Sequence, residues 1–157
     1  MKRCTELKPA NEWNAVAAID RVMLDADERY RRRMLMVGER GTRFLLDLPC
    51  AVRLRDGDGL VLDDGSIVSV VGKAEPLVEV AAEGEPDRLR IAWHLGNRHA
   101  EVQVVGDRLR LRRDHVLEDM LRRLGASLAY VEAPFEPERV VYQHAHKHHE
   151  HEHHHDG

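Results

Sequence analysis

Aromatic residues are scarce, making up 4% of the 157-residue chain as two Trp, three Tyr and two Phe, and the formal net charge is −4 with neutral histidines. Such a chain lacks both the rings that stack bases and the positive field that neutralises phosphates, which argues against nucleic acid as a partner. Cysteine is scarce too. Cys4 and Cys50 form no C-x-x-C pair and cannot staple a small secreted fold, which suits a reducing cytosol and gives both thiols a structural reading. No run of 18 apolar residues occurs, and the opening MKRCTELKPANEWN has basic residues without an apolar stretch behind them. The expectation is a soluble, cytoplasmic protein with no membrane partner. Catalytic signatures are missing as well: there is no G-x-x-x-x-G-K-[ST] phosphate loop and no supported Ser-His-Asp or Cys-His pattern, so the chain is not expected to be an enzyme.

Histidine is what the chain has in excess. Eight of the 11 histidines fall in the terminal QHAHKHHEHEHHHDG: His144, His146, His148, His149, His151, His153, His154 and His155. The longest run is three, and Lys147, Glu150, Glu152 and Asp156 are interleaved, so the segment reads as native rather than as a purification handle. Neutral imidazole is a borderline ligand suited to zinc, copper and nickel. Ligands at every one or two positions offer many overlapping arrangements, so residues 143–157 are expected to be a disordered tail that takes up several weak, exchangeable ions. Protonating all histidines would carry the formal charge from −4 to +7, and metal binding should be lost over the same pH range, below about 6.5.

The remainder divides near residue 75. Residues 1–75 show short strand-like runs, AIDRVMLD, RRRMLMV, TRFLLDL, GLVLDD and SIVSVV, separated by turn material, which predicts an all-β unit. DGDGLVLDDG lacks the order of a calcium loop and reads as hairpin turns. Arg31, Arg32 and Arg33 read as a solvated strand edge. Residues 76–142 change rhythm. LVEVAA predicts a strand; PDRLRIAWHL a helix with Pro86 in its first turn and a stop at Gly96 or Asn97; EVQVV and DRLRLRR a hairpin around Gly106; DHVLEDMLRRLG a second helix closed by Gly125; SLAYVEAPF a last strand. The fold class is therefore α+β, an all-β unit followed by a ferredoxin-like βαββαβ unit. Carboxylates such as Glu118 and Asp119 are expected to be solvated on the helix surface.

Three histidines lie outside the tail. His94 and His99, five residues apart, would diverge by about 140° on a continuous helix and cannot chelate one ion from a single helical face. His94 reads as a packed helix residue, and His99 as an outward-pointing residue after the helix stop. His115 adjoins Asp114, which reads as the N-cap of the second helix, with a weak Asp-His metal site as the functional alternative. Arg112 and Arg113 would weaken that site by repelling a cation.

WHLGNRH (93–99), RRDHVLEDMLRRLG (112–125), PFEPE (134–138), LRDGDGLVLDDGSIVSV (54–70) and the His-rich end together closely resemble the urease accessory nickel metallochaperones, the UreE family. The resemblance implies an N-terminal β domain linked to partner or peptide binding, a C-terminal ferredoxin-like metal domain, and a homodimer. It implies that His99 binds nickel at the dimer interface with its symmetry mate, that tail histidines fill further positions, and that Asp114 and His115 form a secondary site. Arg113 departs from members with a histidine there, and Glu101 from members with a proline. The implied function is to bind Ni(II) and deliver it to apo-urease through a maturation complex containing a partner GTPase, with Zn(II), Cu(II) or Co(II) in competition. The alternative is a general divalent-metal store or buffer. A ferredoxin-like RNA-binding module is disfavoured, since EVQVV and LRLRR carry no aromatic residues.

Overall fold

The structure, a computed structural model, describes residues 1–138. The eight tail histidines lie outside the described residues. The first six strands are β1 (Lys2–Lys8), β2 (Ala18–Leu24), β3 (Tyr30–Val37), β4 (Arg43–Arg53), β5 (Gly59–Leu62) and β6 (Ile67–Gly72). They form one sheet in the order β2-β6-β5-β1-β4-β3, with β1 parallel to β4, β2 parallel to β6, and the other pairs antiparallel. Alternation along the strands puts Val22 and Leu24, Phe44 and Leu46, and Val68 and Val70 on the inner face with Cys4 and Leu60, giving a packed core. Burial raises the Cys4 thiol above its ordinary value, as expected of a structural cysteine.

One central strand escaped the sequence pattern. In β1, KRCTELK, only Cys4 is buried, and the charged residues around it carry no strand signal. Of the two expected hairpin turns, that at Gly65 (φ +86°) joins the antiparallel pair β5 and β6, whereas the turn at Gly57 (φ +89°) links β4 to β5, which lie on either side of β1. Asp20 ties the turn between β3 and β4 to β2. Its buried carboxylate accepts the backbone N–H groups of Arg21 (2.7 Å), Arg40 (2.9 Å) and Thr42 (3.1 Å). Burial alone would raise its pKa, but these donors outweigh it and bring it down to about 2. Gly38 is dictated by this knot, because a Cβ there would lie 2.2 Å from Asp20 Oδ2.

The second sheet comprises β7 (Ala74–Ala81), β8 (Gln103–Val105), β9 (Arg108–Arg112) and β10 (Ser127–Pro134), with α1 (Glu85–Asn97) and α2 (His115–Arg123) as the crossovers. Its order β10-β7-β9-β8, antiparallel throughout, is the ferredoxin-like arrangement expected from the element order. Ile91 and Leu95 of α1 and Leu121 of α2 pack with Val78, Val80 and Leu111, which places both helices on one face. The other face is ionic: Glu79 bonds Arg108 (2.8 Å) and Arg110 (3.0 Å), and Glu75 bonds Arg112 (3.1 Å).

The two sheets meet around Arg29, which is fully buried. Its guanidinium donates to the carbonyls of Leu24 (3.2 Å) and Phe135 (2.6 Å) and to the Glu136 carboxylate. Glu136 also accepts from Arg55 (3.0 Å) and the Asp56 N–H (3.1 Å). A buried cation is tolerated only when paired in this way. Phe135, buried beside Ala26 and Leu77, makes the apolar part of the junction. Residues 134–138 thus strap the second unit to the first.

Candidate metal centre

The last turn of α1 sets the position of His99. Leu95 accepts the Ala100 N–H (3.1 Å), and Gly96 accepts the His99 N–H (3.0 Å). These are the two bonds of a Schellman motif in which His99 occupies the left-handed position, at φ +56°. Among the described residues it is the only non-glycine with positive φ. The helix ends at Asn97, one of the two stops expected from the sequence, and His99 takes the conformation usually given to glycine. An L-residue there costs about 1 kcal/mol, and His99 is exposed with no side-chain hydrogen bond among the described residues. The left-handed backbone closes the helix through the two Schellman bonds, and the imidazole itself is left open to solvent.

Asp114 begins α2 and is its N-cap, as the sequence indicated: Oδ1 accepts the N–H groups of Val116 (2.9 Å) and Leu117 (3.1 Å). His99 and Asp114 line one open cleft of about 440 Å³, together with the buried Leu111 and Phe135. His115 is in the first turn of α2, exposed, and does not line this cleft. His94 is half-buried on α1, edge-on to Trp93 with ring centroids 5.0 Å apart, in keeping with its reading as a packed residue. Among the described residues, no cluster of three or more His, Cys, Asp or Glu side chains could hold an ion. The cleft therefore offers an imidazole and a carboxylate engaged in capping.

Glu118 corrects an expectation. Rather than solvated, it is 3% exposed and accepts from the Asp114 N–H (2.8 Å), the Arg113 guanidinium (3.2 Å) and the Tyr130 hydroxyl (3.2 Å). Burial pushes its pKa up, but Arg113 and the other donors prevail and hold it below the ordinary value. Asp119 is exposed, as expected. Arg113 lies 3.8 Å from the Tyr130 ring centroid, and so belongs to the support of α2. Arg112 is surrounded by three carboxylates, Glu75 (3.1 Å), Asp27 (3.1 Å) and Glu101 (3.2 Å). Neither guanidinium is a free cation, which removes the basis for the expected repulsion. Glu101 acquires a role here, since it also approaches Arg53 of the first sheet at 3.8 Å.

The chain is thus a two-unit α+β protein, a β-rich unit joined to a ferredoxin-like unit, with the exposed His99 imidazole lining an open cleft. Comparison with known proteins makes this specific. The family model for the UreE urease accessory protein, N-terminal domain, matches residues 3–72, and that for the C-terminal domain matches residues 75–157. The chain is 53% identical over 142 residues to the urease accessory protein UreE of Rhodopseudomonas palustris (strain BisB18), covering 90% of this chain and 67% of that protein. It is 52% identical over 143 residues to the protein of the same name from Bradyrhizobium sp. (strain ORS 278), covering 90% and 67%. To that of Beijerinckia indica it is 46% identical over 142 residues, covering 90% and 82%. The chain belongs to the UreE family of urease accessory proteins, and it is an accessory protein rather than an enzyme. No helix among the described residues is long and apolar enough to cross a membrane.

Proposed function

We propose that this protein is a nickel metallochaperone of urease maturation: a homodimer that binds Ni(II) through His99 and its symmetry mate, gathers further ions on its tail histidines, and hands nickel to apo-urease through the maturation complex and its GTPase. The observation that carries the reading is His99 itself, left-handed at the end of α1 and exposed, with no side-chain hydrogen bond among the described residues. One imidazole holds an ion poorly; two across a two-fold axis begin a site. Supporting the dimer, Leu89 and Trp93 are 63% and 64% exposed one turn apart on α1, an apolar pair that a second copy could cover. The ferredoxin-like unit is the dimerisation and metal domain in this reading, the β unit the partner-binding domain, and the cytoplasm the setting.

The test is nickel titration, with mass measured in solution, of the full chain and of a chain ending at Tyr142. The shortened chain should remain a dimer and keep about one ion per dimer, while most of the bound nickel goes with the tail. A strict monomer at tens of micromolar, with and without nickel, would sink the shared site. Competing Zn(II), Cu(II) or Co(II) binding without preferential handover of Ni(II) to apo-urease would point to a general metal buffer.

A further inference from the structure

Among the described residues the first sheet has two free edges, β2 and β3, and they differ. On β2, Arg21 is neutralised by Glu39 at 2.6 Å. On β3, which pairs only with β4, Arg31, Arg32 and Arg33 are exposed, and none has a salt-bridge partner among the described residues. Arg40 in the turn and Arg43 at the start of β4 are likewise without one. The carboxylate opposite Arg33 in register, Asp47, approaches Arg3 instead, at 3.7 Å. An uncompensated cluster of this kind in a chain of net charge −4 raises the local potential and attracts a negatively charged partner.

The same strand presents apolar side chains in the same row. Met34 and Met36 turn toward the core, while Leu35 and Val37 on the outer row are 49% and 56% exposed. Arg33, Leu35 and Val37 therefore follow one another on one face at every second residue, about 7 Å apart, and Arg31 and Arg32 precede them across an irregularity in the pairing register between Arg31 and Arg33. An edge strand also leaves a row of backbone N–H and C=O groups open to pairing. We propose that β3 is a strand-addition site for an extended, acidic segment of a partner protein, with two carboxylates set against the arginine cluster Arg31–Arg33 at the start of the strand and two aliphatic residues against Leu35 and Val37. Main-chain bonds would supply affinity, and the charge order would fix register and direction.

The inference rests on the accessory-protein reading only in requiring a partner, and is independent of nickel. The experiment uses the full chain and a blocked peptide alternating threonine with two glutamates and two valines, made in both chain directions. Controls are the same peptides with lysine for glutamate and a single-stranded oligonucleotide. Amide hydrogen exchange in residues 30–37 should slow with one direction of the acidic peptide. The R31E/R33E double variant should weaken that peptide about tenfold and turn preference to the lysine peptide, with an unchanged thermal midpoint showing that it folds. His99→Ala should leave peptide binding as it was while removing nickel from the shared site, so the two readings can fail separately. No protection of residues 30–37 at millimolar peptide would overturn the inference. So would equal binding to R31E/R33E, or oligonucleotide binding that matches the peptide's without protecting this strand.

Discussion

The end of α1 and the start of α2 carry similar sequence signals, a histidine next to a charged residue at a helix boundary, yet the fold uses them in opposite ways. At the start of α2 the polar groups are already committed: Asp114 caps the helix, and Glu118 is buried under Arg113 and Tyr130. At the end of α1 the backbone is strained and the His99 side chain is left free. A donor that holds the fold together is a poor choice for carrying cargo, because every exchange of ligand would cost stability. His99 and His115 are both exposed; what separates the two boundaries is that the carboxylates beside His115 are taken up in holding α2.

The contrast can be broken most strongly at Glu118. Glu118→Ala leaves the Asp114 N–H, Arg113 and the Tyr130 hydroxyl without their common acceptor, and should cost about 3 kcal/mol in denaturant unfolding. Its acid dependence has a definite sign. Because the folded carboxyl is held below its ordinary value, the stability it provides is complete above about pH 4.5 and decays as pH falls through the folded pKa. Nickel should leave earlier, near pH 6, as imidazoles take up protons. Circular dichroism and bound metal measured on one acid titration should therefore give two separate transitions, and a single one would merge what the structure divides. Asp114→Ala removes only a cap and should cost about 1 kcal/mol. Smallest of all, His115→Ala should change stability by less than about 0.5 kcal/mol and leave nickel binding nearly unchanged. A large loss of nickel in that variant would restore the secondary site outside the cleft.

Much of this was legible in the sequence, and the misses have physical causes. Strand alternation exposed β2 to β6 because one face is apolar, whereas β1 lies mid-sheet with only Cys4 buried. The second unit was readable from helical spacing because Ile91, Leu95 and Leu121 fall on core faces. Helix α1 ends at Asn97, one of the two expected positions, but the left-handed residue beyond it was not legible, because glycine usually takes that place and here a histidine does. Glu118 lies outside the apolar stripe of α2, so local periodicity could not show that Arg113 and Tyr130 would cover it. Arg29 sits in what reads as a turn, ADERY, and its partners at Phe135 and Glu136 are more than a hundred residues away. No local pattern carries a contact of that range.

His99→Gly in the chain ending at Tyr142 tests the central claim most directly, because glycine relieves the left-handed strain while deleting the ligand. The expected result is a thermal midpoint raised by about 2–4 °C, from about 1 kcal/mol of relieved strain, together with at least about a hundredfold loss of nickel affinity. A variant that binds nickel as tightly as its parent, or one that loses stability instead of gaining it, would contradict the assignment of His99 as a residue kept under strain for its metal.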